Sequence, residues 1–196
     1  MSKKYIKNFF YRDQKALMSV SRCGHVTHSQ LKNFVADSRI KNYVRDGYMT
    51  KEVFTKPNGT TMEGYKLTRQ GREFVEKNYG FKDHQHSQSI NHDLGIANKY
   101  FSLSEEQRET WRTETELRNA FEEQLNNLYK TDYDRYTEIR EQLDNREISM
   151  PDCSYINEQG VEICFEVITN SYGTPEIQAK ERYIEITKVA YEAERR

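Results

Sequence analysis

Two sets of residues in this chain have the types and spacing to do chemistry. The first is the run Ser38-Arg39-Ile40-Lys41-Asn42-Tyr43-Val44-Arg45-Asp46-Gly47. Ile40, Tyr43 and Val44 recur at helical spacing and can face a core. Ser38, Arg39, Lys41, Asn42 and Arg45 are left on the other face. Those side chains suit phosphates and base edges: the Arg fork matches guanine and the Asn amide matches adenine. Asp37 or Ser38 can cap the start, and Gly47 can end the helix. The second set is Asp152 and Glu166. Residues 153–156 and 161–169 read as two strands around Asn157-Glu158-Gln159-Gly160, where Gly160 suits a type I turn with a bulge. That register pairs Asn157 with Val161, and therefore Asp152 with Glu166. It sets Cys153, Tyr155, Val161, Ile163, Phe165 and Val167 on an apolar face. Asp152, Ser154, Glu162, Cys164 and Glu166 share the polar one. Opposed carboxylates repel unless a divalent metal or a nearby Lys or Arg neutralises them.

The elements around the first set can be read from period and caps. Residues 12–21 form a helix with Ala16, Leu17 and Val20 on one side, closed by Cys23-Gly24. Thr27-His28-Ser29-Gln30 has the spacing of a capping box and opens a second short helix through Phe34. The Ser38–Arg45 helix is the third, and the three are spaced as a helix-turn-helix. A strand over 49–55, a Lys56-Pro57-Asn58-Gly59 turn and a strand over 61–67 make a hairpin. Thr68 caps a helix over 69–79, with Phe74 and Val75 facing inward. Lys51, Lys56 and Asn58 on the hairpin are placed to reach a nucleic-acid backbone or minor groove.

Residues 81–89 are polar and read as a solvated linker, so the boundary is placed there. His84, His86 and His92 have no tight ligand set around them. Residues 90–103 read as a helix. Residues 105–145 are charged and helical in period, with Leu117, Phe121, Leu125 and Leu128 on one face and a break near Thr131-Asp132. A last helix is expected from Pro175 to Tyr191. Glu114 or Glu116 would supply a further carboxylate to the Asp152–Glu166 pair, and Lys180 its positive charge.

Composition bounds the partners. The chain of 196 residues carries a net charge of −1. Residues 1–80 hold 16 Lys and Arg against 7 Asp and Glu, a net of +9, whereas the remainder holds 14 against 24, a net of −10. A basic first part joined to an acidic second part points to a nucleic-acid-binding module attached to something else. No apolar run approaches a membrane span. The start of the chain resembles an ordinary cytosolic one, so a cytoplasmic protein is expected. Cys23, Cys153 and Cys164 lack zinc or disulfide spacing and read as small buried residues in a reducing compartment.

Three resemblances follow from these motifs. Tyr65-Lys66-Leu67-Thr68-Arg69-Gln70-Gly71-Arg72 resembles the junction that closes the wing of winged-helix regulators. Pro151-Asp152 with Glu166 on the next strand resembles the restriction-endonuclease-like core. There an Asp and a Glu hold Mg²⁺, and a Lys two residues after the Glu assists the attacking water; here that position is Ile168, and Lys180 is the candidate replacement. Taken in order, Tyr65–Arg72, His92-Asp93-Leu94, Trp111-Arg112-Thr113-Glu114, Met150-Pro151-Asp152, Phe165-Glu166-Val167 and Lys180-Glu181-Arg182-Tyr183 resemble the replication-relaxation family of plasmids, conjugative elements and phages. That resemblance implies an α+β or α/β chain. A winged helix-turn-helix over 1–80 and a linker over 81–89 precede an acidic, degenerate nuclease-like domain over 90–196. It implies double-stranded DNA binding in replication, relaxation, transfer or transcriptional control. Ser38, Arg39, Lys41, Asn42, Arg45, Lys51, Lys56 and Asn58 would touch DNA. Two alternatives stay open. One is a Mg²⁺-dependent nuclease or nickase using Asp152, Glu166, Glu114 and Lys180, with no cofactor otherwise. The other is a dimeric winged-helix regulator with a helical tail and no β-sheet in residues 150–170. A homodimer or a mobile-element protein is the expected protein partner.

Overall fold

The computed structural model describes residues 4–55, 59–170 and 172–196. It is a mixed α+β chain with nine helices and two small sheets among the described residues. Contacts divide it into two compact units, residues 1–103 and 104–196. The boundary therefore lies later than the expected 81–89, and residues 90–103 belong with the first unit. The charge division survives the move: the first unit holds 18 Lys and Arg against 9 Asp and Glu, the second 12 against 22.

In the first unit, α1 (Tyr11–Cys23), α2 (His28–Leu31) and α3 (Asp37–Arg45) precede a two-stranded sheet of β1 (Met49–Thr55) and β2 (Thr61–Leu67), then α4 (Arg69–Tyr79) and α5 (Ile90–Ser102). Ala16, Leu17 and Val20 are buried on one face of α1, as their spacing requires. Gly24 ends that helix at a φ of 79° and donates its N–H to the Val20 carbonyl. The Thr27–Gln30 capping box forms, with the Thr27 N–H on the Gln30 side chain at 2.8 Å and the reverse bond at 3.2 Å. The helix it opens is shorter than expected and stops at Leu31. α3 begins at Asp37 after Ala36 and has no side-chain cap, contrary to the Asp37 or Ser38 expectation. Ile40 and Tyr43 are fully buried, but Val44 is exposed, so the inward stripe of α3 is narrower than its sequence suggests. β1 and β2 pair antiparallel from Met49↔Leu67 to Thr55↔Thr61. The Thr68 hydroxyl accepts the Gly71 N–H at 3.0 Å and caps α4. Gly71 is required there: a Cβ would stand 2.0 Å from the Tyr48 carbonyl oxygen.

Residues 81–89 are not a solvated linker. The Gln85 N–H donates to the Ser21 carbonyl at 2.8 Å, and Gln85 is buried. His84 Nδ1 meets the Ser21 hydroxyl at 2.5 Å and its Nε2 meets Glu76 at 3.2 Å. The segment is a strap across α1, held by hydrogen bonds rather than by apolar side chains. That explains why it looks like a linker in composition.

In the second unit, α6 (Glu105–Glu109) and β3 (Arg112–Thr113) lead into the helix pair α7 (Glu114–Thr131) and α8 (Tyr133–Asp144). β4 (Cys153–Ile156), β5 (Glu162–Ile168), α9 (Thr174–Thr187) and β6 (Ala190–Arg195) follow. The sheet order is β3-β4-β5-β6. β3, β4 and β5 pair antiparallel, and β6 returns parallel to β5 after the α9 crossover. The expected hairpin register is observed: Cys153 opposes Phe165 and Ile156 opposes Glu162. Gly160 takes a φ of 75° in its turn. This hairpin removes the architecture of a purely helical tail. Two expectations change. The last helix stops at Thr187, and Ala190–Arg195 is a strand. The polar face of the hairpin is covered at Asp152, Ser154, Cys164 and Glu166, and only Glu162 reaches water. Leu117, Phe121 and Leu125 of α7, Ile139 of α8 and Tyr183 of α9 form a core with Cys164 on that face. No helix among the described residues is long and apolar enough to cross a membrane.

Candidate functional site

Each unit carries one group of candidate residues. In the first, Ser38, Lys41 and Arg45 are exposed on α3 and Asn42 is half-buried. The Arg45 guanidinium lies over the Tyr5 ring, 5.2 Å from its centroid. Arg39 has a different role. Its Nε is 2.6 Å from Asp13 Oδ1, and one terminal nitrogen donates to Asp13 Oδ2 at 2.9 Å and to the Asn8 carbonyl at 2.5 Å. Asp13 is fully buried and also accepts the Tyr43 hydroxyl and the Phe10 N–H. Burial alone would raise the Asp13 carboxyl; Arg39, Tyr43 and Phe10 outweigh it and hold it below its ordinary value. Arg39 is thus committed inward, a correction to its expected place among base-reading residues. On the hairpin, Lys51 pairs with Glu63 at 2.7 Å and Lys66 with Glu52 at 2.5 Å. Lys51 is half-exposed and carries its own counter-charge. Lys56 and Asn58 lie outside the described residues.

Sequence reasoning missed the acidic anchors of this unit. Asp46 is buried at the end of α3 and accepts the N–H groups of Tyr5 and Ile6 at 3.0 and 2.8 Å. Asp93 is buried on α5, where His25 Nδ1 stands at 2.7 Å and the Ser87 hydroxyl at 2.5 Å. The other His25 nitrogen is 3.0 Å from Glu52 on β1. His92, also buried, has its Nδ1 3.2 Å from Asp93 Oδ1. Asp93 stays below its ordinary value because His25, His92 and Ser87 overcome the effect of burial. The signal available in the sequence was an Asp inside an otherwise apolar helical face; alone, it does not name its partners.

The second unit brings the four expected residues together. Arg112 opposes Ser154 and Thr113 opposes Cys153 across β3 and β4. Cys153 opposes Phe165 across β4 and β5. One step beyond these ladders lie Asp152 and Glu166, which touch, and Glu114, which opens α7 and whose charge reaches Lys180. Thr113 and Glu116 form the capping box of α7, with Thr113 N–H on Glu116 at 2.9 Å, so Glu116 is a cap and Glu114 is the remaining carboxylate. Glu114 pairs outward with Arg118 at 2.9 Å. Asp152 and Glu166 are buried and laced together: the Asp152 N–H donates to Glu166 Oε2 at 3.0 Å, and the Val167 N–H donates to Asp152 Oδ2 at 2.8 Å. Lys180 reaches in from α9, its Nζ 3.1 Å from Glu166 Oε1 and 2.5 Å from the Met150 carbonyl. The Tyr172 hydroxyl donates to the same Glu166 oxygen at 2.9 Å. Ile168, two residues after Glu166, offers no charge.

Burial, and then Asp152, push the Glu166 carboxyl up to about 7 against the opposing pull of Lys180 and Tyr172. Lys180 is raised instead, because Glu166, Asp152 and Glu114 favour its ammonium form more than burial disfavours it. Tyr191 on β6 is pushed up to about 12 by burial and by the same two carboxylates. Glu114 has Arg118, so two buried carboxylates, Asp152 and Glu166, around one buried ammonium leave excess negative charge. A proton or a divalent cation relieves it. Hard oxygen donors suit Mg²⁺, which takes one or two carboxylates and keeps several waters. Asp152 and Glu166 are the carboxylates that would hold it, but both Glu166 oxygens and one Asp152 oxygen are already engaged by Lys180, Tyr172 and backbone N–H groups. Among the described residues, no group of three or more His, Cys, Asp or Glu side chains could hold a metal ion. In comparison with known proteins, no family model, curated protein or solved structure matches this chain.

Proposed function

We propose that the chain is a double-stranded DNA-binding protein of a mobile element, acting in its replication, relaxation, transfer or transcriptional control. The first unit is read as a winged helix, with α3 as the recognition helix and the β1–β2 hairpin as the wing. The observation that carries this is the exposed edge of α3. Ser38, Lys41 and Arg45 project from a helix whose other face is buried, in the more basic of the two units. A groove-binding helix needs such an edge, and phosphate neutralisation supplies affinity that salt removes. Titration of a randomised duplex pool at rising salt tests it. Binding should weaken steeply with salt, and Lys41→Ala or Arg45→Ala should lower the salt slope by about 0.9 per lost phosphate contact. A protein that binds no duplex at low ionic strength is not this protein.

A second reading is favoured by the touching Asp152 and Glu166 with Lys180 against them: a metal-dependent nuclease or nickase. A Mg²⁺ ion held by Asp152 and Glu166 would polarise a phosphate and lower the pKa of its water. Lys180 supplies beside Glu166 the positive charge that Ile168 cannot. Supercoiled plasmid incubated with Mg²⁺ or Mn²⁺ decides. Nicking lost in Asp152→Asn supports it, and an intact plasmid removes it.

A further inference from the structure

The N-terminal arm of the first unit, residues 4–10, turns Ile6 and Phe9 inward and is tied down by hydrogen bonds. Asp46 holds the N–H groups of Tyr5 and Ile6, and Arg39 holds the Asn8 carbonyl. Asp46 and Arg39 stand at the two ends of α3, about 10 Å apart at the helical rise. The arm therefore runs antiparallel along α3. With the first residue of α1 it presents large aromatic rings to solvent: Tyr5, Phe10 and Tyr11 are 56%, 55% and 64% exposed. Three such rings within seven residues are costly to leave wet. They are not an ordinary apolar patch, because each has a cation near its ring. Arg45 is 5.2 Å from the Tyr5 centroid, Arg12 5.8 Å from Phe10 and Lys15 4.6 Å from Tyr11. The only carboxylate in residues 4–15 is Asp13, which is buried and paired with Arg39.

We infer that this arm binds unpaired nucleotides of single-stranded DNA that lies next to a duplex. The inference rests on the duplex-binding reading of α3 and extends it. Interleaved rings and cations suit a single strand: bases stack on aromatic faces or guanidinium planes, and phosphates meet the positive charge. A protein partner fits less well, since the cations over the rings would have to be desolvated. Arg45 belongs to both surfaces, so unpaired nucleotides that continue from a bound duplex would be within reach of the arm. Such a junction of paired and unpaired DNA is the substrate class that the arm would select.

Fluorescence anisotropy of the full chain with three probes tests this: a blunt duplex, the same duplex carrying a single-stranded extension, and the extension alone. The extended duplex should bind more tightly than the blunt one. Replacing Tyr5, Phe10 and Tyr11 together by Ala should remove that gain, about tenfold or more at ordinary stacking strengths, and leave blunt-duplex affinity unchanged. Tyr5→Phe with Tyr11→Phe should retain it, because the rings remain. Equal affinity of the wild-type chain for blunt and extended duplexes would overturn the arm and leave the α3 reading standing. Binding of the single strand alone, with no affinity for blunt duplex, would overturn the α3 reading and with it the junction. A triple variant that loses both probes equally would make the arm a mere support for α3 and refute the inference.

Discussion

Arg39→Ala should unfold the first unit more readily, and leave phosphate contacts untouched. Asp13 is fully buried and Arg39 is only 22% exposed, so the pair is largely shielded from solvent. Removing the guanidinium leaves Asp13 with the Tyr43 hydroxyl and the Phe10 N–H. Breaking one side of a buried pair costs about 3 kcal/mol or more, and the partial exposure of Arg39 places this case near about 3. For a unit of this size that is a fall of roughly 15 °C in melting temperature. The loss should also depend on pH. Asp13 is held below its ordinary value of 3.8, so its pairing stabilises the fold above that pH and is lost as pH falls through the folded value. In the variant, burial is no longer offset by the cation. The difference between wild type and variant should therefore be largest near neutrality and shrink below about pH 4. Circular-dichroism melts across that range measure it, and anisotropy at a temperature where the variant is folded measures its salt slope. A variant that melts with the wild type but loses a phosphate's share of the salt slope would return Arg39 to the interface and refute the assignment.

Gly71→Ala should destabilise the junction of β2 and α4 by about 2–3 kcal/mol, because its Cβ would overlap the Tyr48 carbonyl oxygen 2.0 Å away; a urea titration reads the loss. Lys180→Met should destabilise the second unit by about 3 kcal/mol at pH 8, where Glu166 is ionised, and by less at pH 6, where a proton on Glu166 replaces the ammonium. Asp152→Asn should have the opposite sign and raise the melting temperature in metal-free buffer at pH 8, since it removes the charge that pushes Glu166 up while its amide oxygen can still accept the Val167 N–H. The wild-type chain should itself lose stability as pH rises from about 4.5 through about 7, because a carboxyl raised in the folded state binds its proton more tightly than the unfolded chain does. Flat melting temperatures over that interval would contradict the raised Glu166.

Where local chemistry and side-chain pattern agree, the sequence was sufficient. Asn157 and Gly160 demand one turn, the alternation of Cys153 to Val167 demands one register, and the two coincide. The Thr27–Gln30 box and the Thr68 cap are local in the same way. β6 was not legible, because Ala190-Tyr191-Glu192-Ala193-Glu194-Arg195 favours helix and only its parallel pairing with β5 makes it a strand. The stop before it is Lys188 at a φ of 54°, where a glycine would have marked the break. The strap over 81–89 was read as a linker because its attachments are polar, two backbone N–H groups, a serine hydroxyl and a histidine ring, which leave no apolar period.

The two candidate sites show why residue type alone misplaces charge. Arg39 and Lys41 lie two positions apart on one short helix and look equally fit for DNA. What separates them is Asp13, twenty-six residues upstream, which sits beneath one and not the other. Lys180 is the reverse case. Its sequence context, a charged amphipathic helix, places it in solvent, whereas the structure buries it against Glu166. Both follow from one rule: a carboxylate that enters the core draws in the nearest long cation, because a buried charge without a partner costs several kcal/mol. Asp152 and Glu166 enter the core because α7, α8 and α9 cover the hairpin face that alternation marks as polar. A helical layer over a polar strand face is wasteful unless that face holds something. Burial and the negative charge left after Lys180 is counted push the Glu166 carboxyl up to about 7, so what that face holds near neutrality is a proton.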